Sequence, residues 1–130
     1  MERITKQGTA ILNAIKTAGR PLLAQEILDA AAAEAPGMGI ATVYRNIKSL
    51  VENGLIGTVN LPGENPRYES SHHHHHHHFH CTRCDKVYDV HECPGELQQL
   101  APKGFHVESH ELTLYGACES CQLSPPPPSA

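Results

Sequence analysis

Cys81-x-x-Cys84 and Cys118-x-x-Cys121 form two knuckles separated by 33 residues. Each CxxC turn presents two sulfurs to one ion, so two such pairs assemble the all-thiolate tetrahedral shell that structural zinc prefers. The same spacing serves redox dithiols or packed free cysteines, the competing chemistries. The gap between the knuckles is long for a compact ribbon, so a β-α-β segment is expected to fold within it, and the ion then ties the two ends of a C-terminal domain together. The fifth cysteine, Cys93 in His91-Glu92-Cys93, lies outside this pattern and is expected to be a free thiol.

The second cluster is imidazole. All eleven His and all five Cys lie after position 70, and seven of the His run without a break from His72 to His78. The run resembles a purification tag, but it sits inside the chain and leads straight into Phe79-His80-Cys81. If its second half is a strand, alternation sends His76, His78 and His80 to one face and His75 and His77 to the other, so one strand can serve two metal sites. Imidazole with carboxylate suits zinc, iron, manganese or nickel, and the nearby carboxylates are Glu69, Asp89 and Glu96. A solvated His-rich loop is the bland alternative.

Catalytic patterns are scarce. His106-Val107-Glu108 followed by Cys118-x-x-Cys121 is superficially similar to the zinc-deaminase signature. Only nine residues separate Glu108 from Cys118, however, and Ala117 stands where that signature has Pro. No Ser/His/Asp constellation or phosphate-cradling Gly loop is present, and no enzymatic activity is expected.

The elements that position these groups follow from periodicity. Thr5 to Ala18 repeats Ile11, Leu12, Ile15 and Ala18 at helical spacing. A second run, Ala24 to Ala33, turns Ile27, Leu28 and Ala31 inward, with no capping oxygen at Leu22-Leu23. A third, Ile40 to Asn53, is expected to bury Ile40, Val43, Ile47, Leu50 and Val51 and to end on Asn53-Gly54. Leu55 to Asn60 and Arg67 to Ser70 read as a hairpin around Pro62-Gly63. Three helices and a hairpin make a winged helix-turn-helix. Further on, Lys86 to Val90 is expected as a strand, Pro94 to Leu100 as a short helix, Phe105 to Tyr115 as a longer strand, and the Pro-rich end as a disordered tail. The expected class is α+β: a winged-helix DNA-binding domain over 1–70, a His-rich hinge at 71–79, a small α/β dimerisation domain with structural zinc over 80–123, and the tail 124–130.

The 130 residues are 39% hydrophobic and 5% aromatic with no Trp, and the net charge is −4. Such a core is modest, and metal ligation compensates for it. Residues 1–60 carry six Lys or Arg against five Asp or Glu, a balance of +1. Bulk charge therefore does not bind nucleic acid, and DNA binding must depend on a dimer and on local placement of basic groups. The opening residues carry no signal-peptide pattern and no long apolar run occurs, so a cytoplasmic location without membrane contact is expected.

Ala41-Thr42-Val43-Tyr44-Arg45, Arg67-Tyr68-Glu69, the His cluster ending in Phe79-His80-Cys81-x-x-Cys84, and Leu114-Tyr115-Gly116-x-Cys118-x-x-Cys121 together resemble the ferric uptake regulator superfamily of bacterial metalloregulators. The resemblance runs from Ile4 to Cys121 and implies a homodimeric, metal-responsive repressor that reads a palindromic operator in double-stranded DNA and takes no small-molecule substrate. It implies structural zinc on Cys81, Cys84, Cys118 and Cys121, and a regulatory metal on Glu69, His76 and His78. It further implies an additional metal on His75, His77, Glu96 and His110, and DNA contacts from Tyr44 and Arg45. Thr42 and Lys48, on the same helix, join them as candidate contacts.

No subfamily signature is complete. Pro21 stands where iron-type members contribute a His, Gly57 and Ser71 where zinc-type members supply Asp and Cys, and Ser70 where peroxide-sensing members, which share Asp89, have a further Asp. Loss of the His at Pro21 leaves a ligand set that suits four-coordinate zinc, so zinc is favoured as corepressor. Ferrous iron, peroxide sensing and a His-rich metal buffer are the alternatives.

Overall fold

The computed structural model describes residues 5–71, 76–95 and 97–123. Its contacts divide the chain into two compact units, residues 1–73 and 74–130.

The first unit opens with α1 (Lys6–Ala18). Thr5 caps it, its Oγ1 accepting from the Gly8 N–H at 3.0 Å, and Gly19 ends it at φ 63°, a conformation that favours glycine. A two-residue strand, β1 (Leu22–Leu23), precedes α2 (Ala24–Ala31). The start of α2 is fixed by a residue inside the helix: Glu26 Oε1 accepts from the Leu23 N–H at 3.1 Å while Oε2 pairs with Arg20 at 2.7 Å. This is the carboxylate half of a capping box, which a search for a capping side chain at Leu22-Leu23 overlooks.

Helix α3 (Ile40–Glu52) buries Val43, Ile47 and Leu50 against α1 and α2. Ile40 and Val51, expected inside, are 40% and 37% exposed. Ile40 is the first residue of the helix, and Val51, in its last turn, lies at the edge of the buried stripe. Asn53 closes the helix, its Nδ2 donating to the Ser49 carbonyl at 2.9 Å. The wing is β2 (Ile56–Val59) paired antiparallel with β3 (Arg67–Ser70), and β1 adds to the other edge of β3, giving the order β1-β3-β2. Within the wing Arg67 pairs with Glu64 at 3.1 Å.

The second unit is built on β4 (His77–Cys81), with β5 (Val87–Val90) antiparallel on one side and β6 (Thr113–Gly116) parallel on the other. Residues 77–79, set apart as hinge in the sequence reading, are therefore part of the central strand of this sheet. Gly116 sits opposite Cys81, and a Cβ there would stand 3.2 Å from Phe79 Cζ, which accounts for a residue without a side chain at that close approach.

Two expected elements are shorter than the pattern suggests. The helix over Pro94 to Leu100 reduces to one 3₁₀ turn, Gln98–Leu100, because Gly95 takes φ 92° directly after Pro94. The strand expected from Phe105 begins only at Thr113. Several of its earlier backbone groups are taken by side chains: Gln98 donates to the Phe105 carbonyl at 2.6 Å and accepts from the Val107 N–H at 2.8 Å, and the Leu112 N–H donates to His77 Nδ1 at 3.1 Å. The expected tail, 124–130, lies outside the described residues.

Candidate metal centres and DNA-reading helix

The four knuckle sulfurs converge. Ligand atoms of Cys81, Cys84, Cys118 and Cys121 all lie within 4.8 Å of one another, and Cys84 Sγ stands 3.8 Å from Cys118 Sγ. Four thiolates about 2.3 Å from one zinc in a tetrahedron are about 3.8 Å apart, so the shell has the size the ion requires.

The sheet holds this shell. Cys81 ends β4, its N–H donating to the Lys86 carbonyl and its carbonyl accepting from the Asp85 N–H, both at 2.9 Å. Asp85 closes the turn at φ 63°, and its carboxylate meets His80 Nε2 at 2.6 Å. The Gly116 carbonyl at the end of β6 accepts from the Thr82 N–H at 2.8 Å, joining the second knuckle to the first. Arg83 donates to the Cys121 carbonyl at 2.9 Å.

Backbone N–H groups also set the charge on sulfur. The Cys84 N–H, helped by those of Cys118 and Arg83, outweighs burial and holds the Cys81 thiol down at about 6. Cys118 is lowered chiefly by the Cys121 N–H. Cys121 is pushed up to about 12, first by its hydrogen bond with the Cys118 side chain. The set thus mixes thiolate and thiol, and zinc binding removes the protons that remain.

On one face of β4, His76 and His78 gather around Asp89. His78 is the register partner of Asp89 across β4 and β5, and Asp89 Oδ1 lies 3.5 Å from Nε2 of each imidazole. The two rings meet edge to face with centroids 5.0 Å apart. Burial pulls His78 below its ordinary value, outweighing the raising effect of the Asp89 carboxylate, so the ring is neutral near pH 7 and offers a lone pair. Two imidazoles and a carboxylate can bind a divalent transition metal. Glu69, expected as the third ligand, is in β3 of the first unit, opposite Gly57.

On the other face His77 approaches His110, as the alternation of the strand requires, and their rings stack at 5.0 Å. The other two residues expected with them, His75 and Glu96, lie outside the described residues, as do His72 to His74. Sequence reasoning missed two members of these clusters. Asp89 was named among nearby carboxylates but not placed, although an antiparallel partner strand carrying a carboxylate beside the His strand was the available signal. Cys93, expected free, stands with His77 and His110; no sequence spacing pointed there.

In the first unit, Tyr44, Arg45 and Lys48 are exposed along α3 and Thr42 is half-buried beside them. Arg45 donates to Thr42 Oγ1 at 3.2 Å, which leaves the guanidinium on the outer face, away from Val43, Ile47 and Leu50. A helix with a buried stripe behind and Thr, Tyr, Arg and Lys in front can enter a DNA major groove.

The comparisons agree with both halves. A family model described as the ferric uptake regulator family matches residues 2–115. The peroxide operon regulator of Bacillus subtilis is 35% identical over 126 residues, covering 92% of this chain and 83% of that protein. The iron-bound structure of the Francisella tularensis ferric uptake regulator is 25% identical and superposes with a TM-score of 0.71, covering 93% of this chain and 95% of that one. A zinc-bound manganese uptake regulator, 24% identical, shares the fold with a TM-score of 0.78 over 90% of this chain and 91% of its own. Winged helix-turn-helix, zinc-suited four-cysteine shell and family match converge: the chain belongs to the ferric uptake regulator family and is a metal-responsive, DNA-binding transcriptional repressor.

Proposed function

We propose that zinc is the corepressor, bound by His76, His78 and Asp89, and that the loaded homodimer represses genes of metal-ion homeostasis by binding a palindromic operator. The observation that carries this reading is the single Asp89 oxygen 3.5 Å from both imidazole Nε2 atoms. Two imidazoles and one carboxylate, completed by a water, make four donors, a number that zinc accepts and that ferrous iron commonly exceeds. Pro21 supplies no imidazole to raise it.

Metal and operator each tighten the binding of the other by the same factor, because the metal-loaded dimer is the form that binds DNA. Thr42, Tyr44, Arg45 and Lys48 are the proposed DNA-contacting residues. The proposed location is the cytoplasm; among the described residues no helix is long and apolar enough to cross a membrane. No catalytic role is assigned. The Cys118–Cys121 pair that a deaminase would share with His106 is grouped with Cys81 and Cys84.

A second reading, ferrous iron with peroxide sensing, is favoured by Asp89 joining the cluster and by the likeness to the Bacillus subtilis peroxide operon regulator. The test of the repressor reading is a shift assay on a duplex from the chain's own promoter, with and without supplied metal. Binding only with metal is expected. Equal binding after removal of all non-structural metal contradicts it and favours a passive metal buffer.

A further inference from the structure

Of the four knuckle cysteines only Cys81 is buried; Cys84 is exposed, and Cys118 and Cys121 are half-buried. A zinc in this shell is open to an incoming ligand on the side of Cys84, so burial does not shield it there. A pair of side chains flanking the first knuckle does the holding. His80, directly before Cys81, and Asp85, directly after Cys84, meet at 2.6 Å between Nε2 and Oδ1. A carboxylate oxygen only accepts, so the ring nitrogen carries the proton and donates it. The imidazole belongs to a residue 8% exposed, whereas the Asp85 side chain is 63% exposed.

Among the described residues Asp85 is the one non-glycine at positive φ, 63°. Glycine would take that conformation without the cost of a Cβ, so a side chain at this place is accounted for by what its carboxylate reaches. The Asp85 N–H also donates to the Cys81 carbonyl at 2.9 Å, so backbone and side chain of one residue both close the turn. His80 is itself fixed in the central strand. It is the register partner of Val87 in β5 and of Tyr115 in β6, and its ring lies 5.8 Å from that of Tyr115 between centroids.

We propose that His80 and Asp85 form a clasp that sets how slowly the four-cysteine shell gives up its zinc, with Asp85 acting as a positioning residue for Cys84. Loss of the ion to a competing ligand begins with the departure of one thiolate, and Cys84 is the one a competitor reaches from solvent. For its sulfur to swing out, the turn over residues 82–85 must open. The clasp ties the far end of that turn to the central strand and so opposes the opening. Both residues act through the backbone of Cys84, as partners that orient a metal ligand. The purpose of the clasp, though not its existence, rests on zinc being the corepressor. A chain that reads free zinc at His76, His78 and Asp89 must keep its structural zinc from exchanging on the same timescale.

The experiment uses the full chain with one zinc in its four-cysteine shell, mixed with an excess of a chromophoric chelator, and reads the rate of zinc transfer. Asp85→Gly is the informative variant, because the side chain it removes is exposed and glycine suits φ 63° better than aspartate. A residue present for its backbone alone gives release at the wild-type rate or slower. The clasp gives release at least about tenfold faster, the scale of the affinity lost when outer-shell partners of metal ligands are removed. His80→Ala is expected to speed release to the same extent, and the double variant no further, since either change alone breaks the bond. Release from Asp85→Gly at or below the wild-type rate, or a double variant whose acceleration is the product of the two single ones, overturns the clasp. Operator binding against buffered zinc and iron reads the corepressor independently, so failure here and failure of that reading are separately visible.

Discussion

His78 stands opposite Asp89 across β4 and β5, with Nε2 of the imidazole 3.5 Å from Oδ1 of the carboxylate. Register places the two groups there, and register in turn follows from burial of Cys81 and Val87 at the far end of the same strand pair. A ligand set fixed by a strand ladder is pre-organised, so removing one member costs affinity without unfolding the sheet. Asp89→Asn is expected to weaken regulatory metal binding at least about tenfold, the scale seen even for outer-shell partners of metal ligands, while the zinc of the four cysteines stays. Competition with a metal indicator measures this, and unchanged affinity removes Asp89 from the site.

Cys81→Ser is expected to abolish the structural zinc and to loosen the second unit and the dimer. Ligation coupled to folding contributes on the order of 10 kcal/mol in comparable sites. Elemental analysis with sedimentation measures both, and an intact dimer without zinc refutes the coupling.

Acid should release that zinc. Cys81 titrates at about 6, below its ordinary value, so its thiolate supports the folded, metal-binding state at neutral pH and that support is lost as pH falls through 6. Cys121, held up at about 12, gives up a proton to bind zinc, so affinity rises with pH. Chelator competition at pH 8 and pH 6 is expected to give tighter binding at the higher pH; the reverse order contradicts the thiolate assignment.

Arg45→Ala is expected to lose operator binding with metal content and dimerisation unchanged. A bidentate contact to a base is worth about 1 to 3 kcal/mol, and a dimer loses it at both half-sites. Wild-type affinity in a duplex-binding assay rejects the placement of α3 in the groove.

Glu26→Ala removes both the Leu23 cap and the Arg20 pair at the start of α2. A loss of about 1 kcal/mol is expected, read as a lowered unfolding temperature. No change in that temperature shows the cap to be dispensable.

Much of this was legible in the residues. Helical spacing locates α1, α2 and α3, turn residues bracket the wing, and the two CxxC pairs declare a sulfur shell. Strand alternation separated His78 from His77 correctly. What escaped was whatever depends on pairing between distant segments. β1 is two residues long and has no periodicity; it exists because β3 offers an edge. The stretch from Phe105 has strand-like composition, yet Gln98 and His77 take several of its backbone groups. Cys93 reaches His77 and His110 only because β5 lies beside β4, a fact of tertiary folding that local sequence does not encode.

The central claim is that a metal at His76, His78 and Asp89 switches DNA binding and that the metal is zinc. Operator affinity measured against buffered free zinc, and separately against ferrous iron without oxygen, for wild type and His78→Ala tests it most directly. Wild-type binding is expected to turn on with zinc at lower free concentration, relative to cellular levels, than with iron, and the His78→Ala protein to respond to neither. A His78→Ala protein that matches wild type with both metals would contradict it.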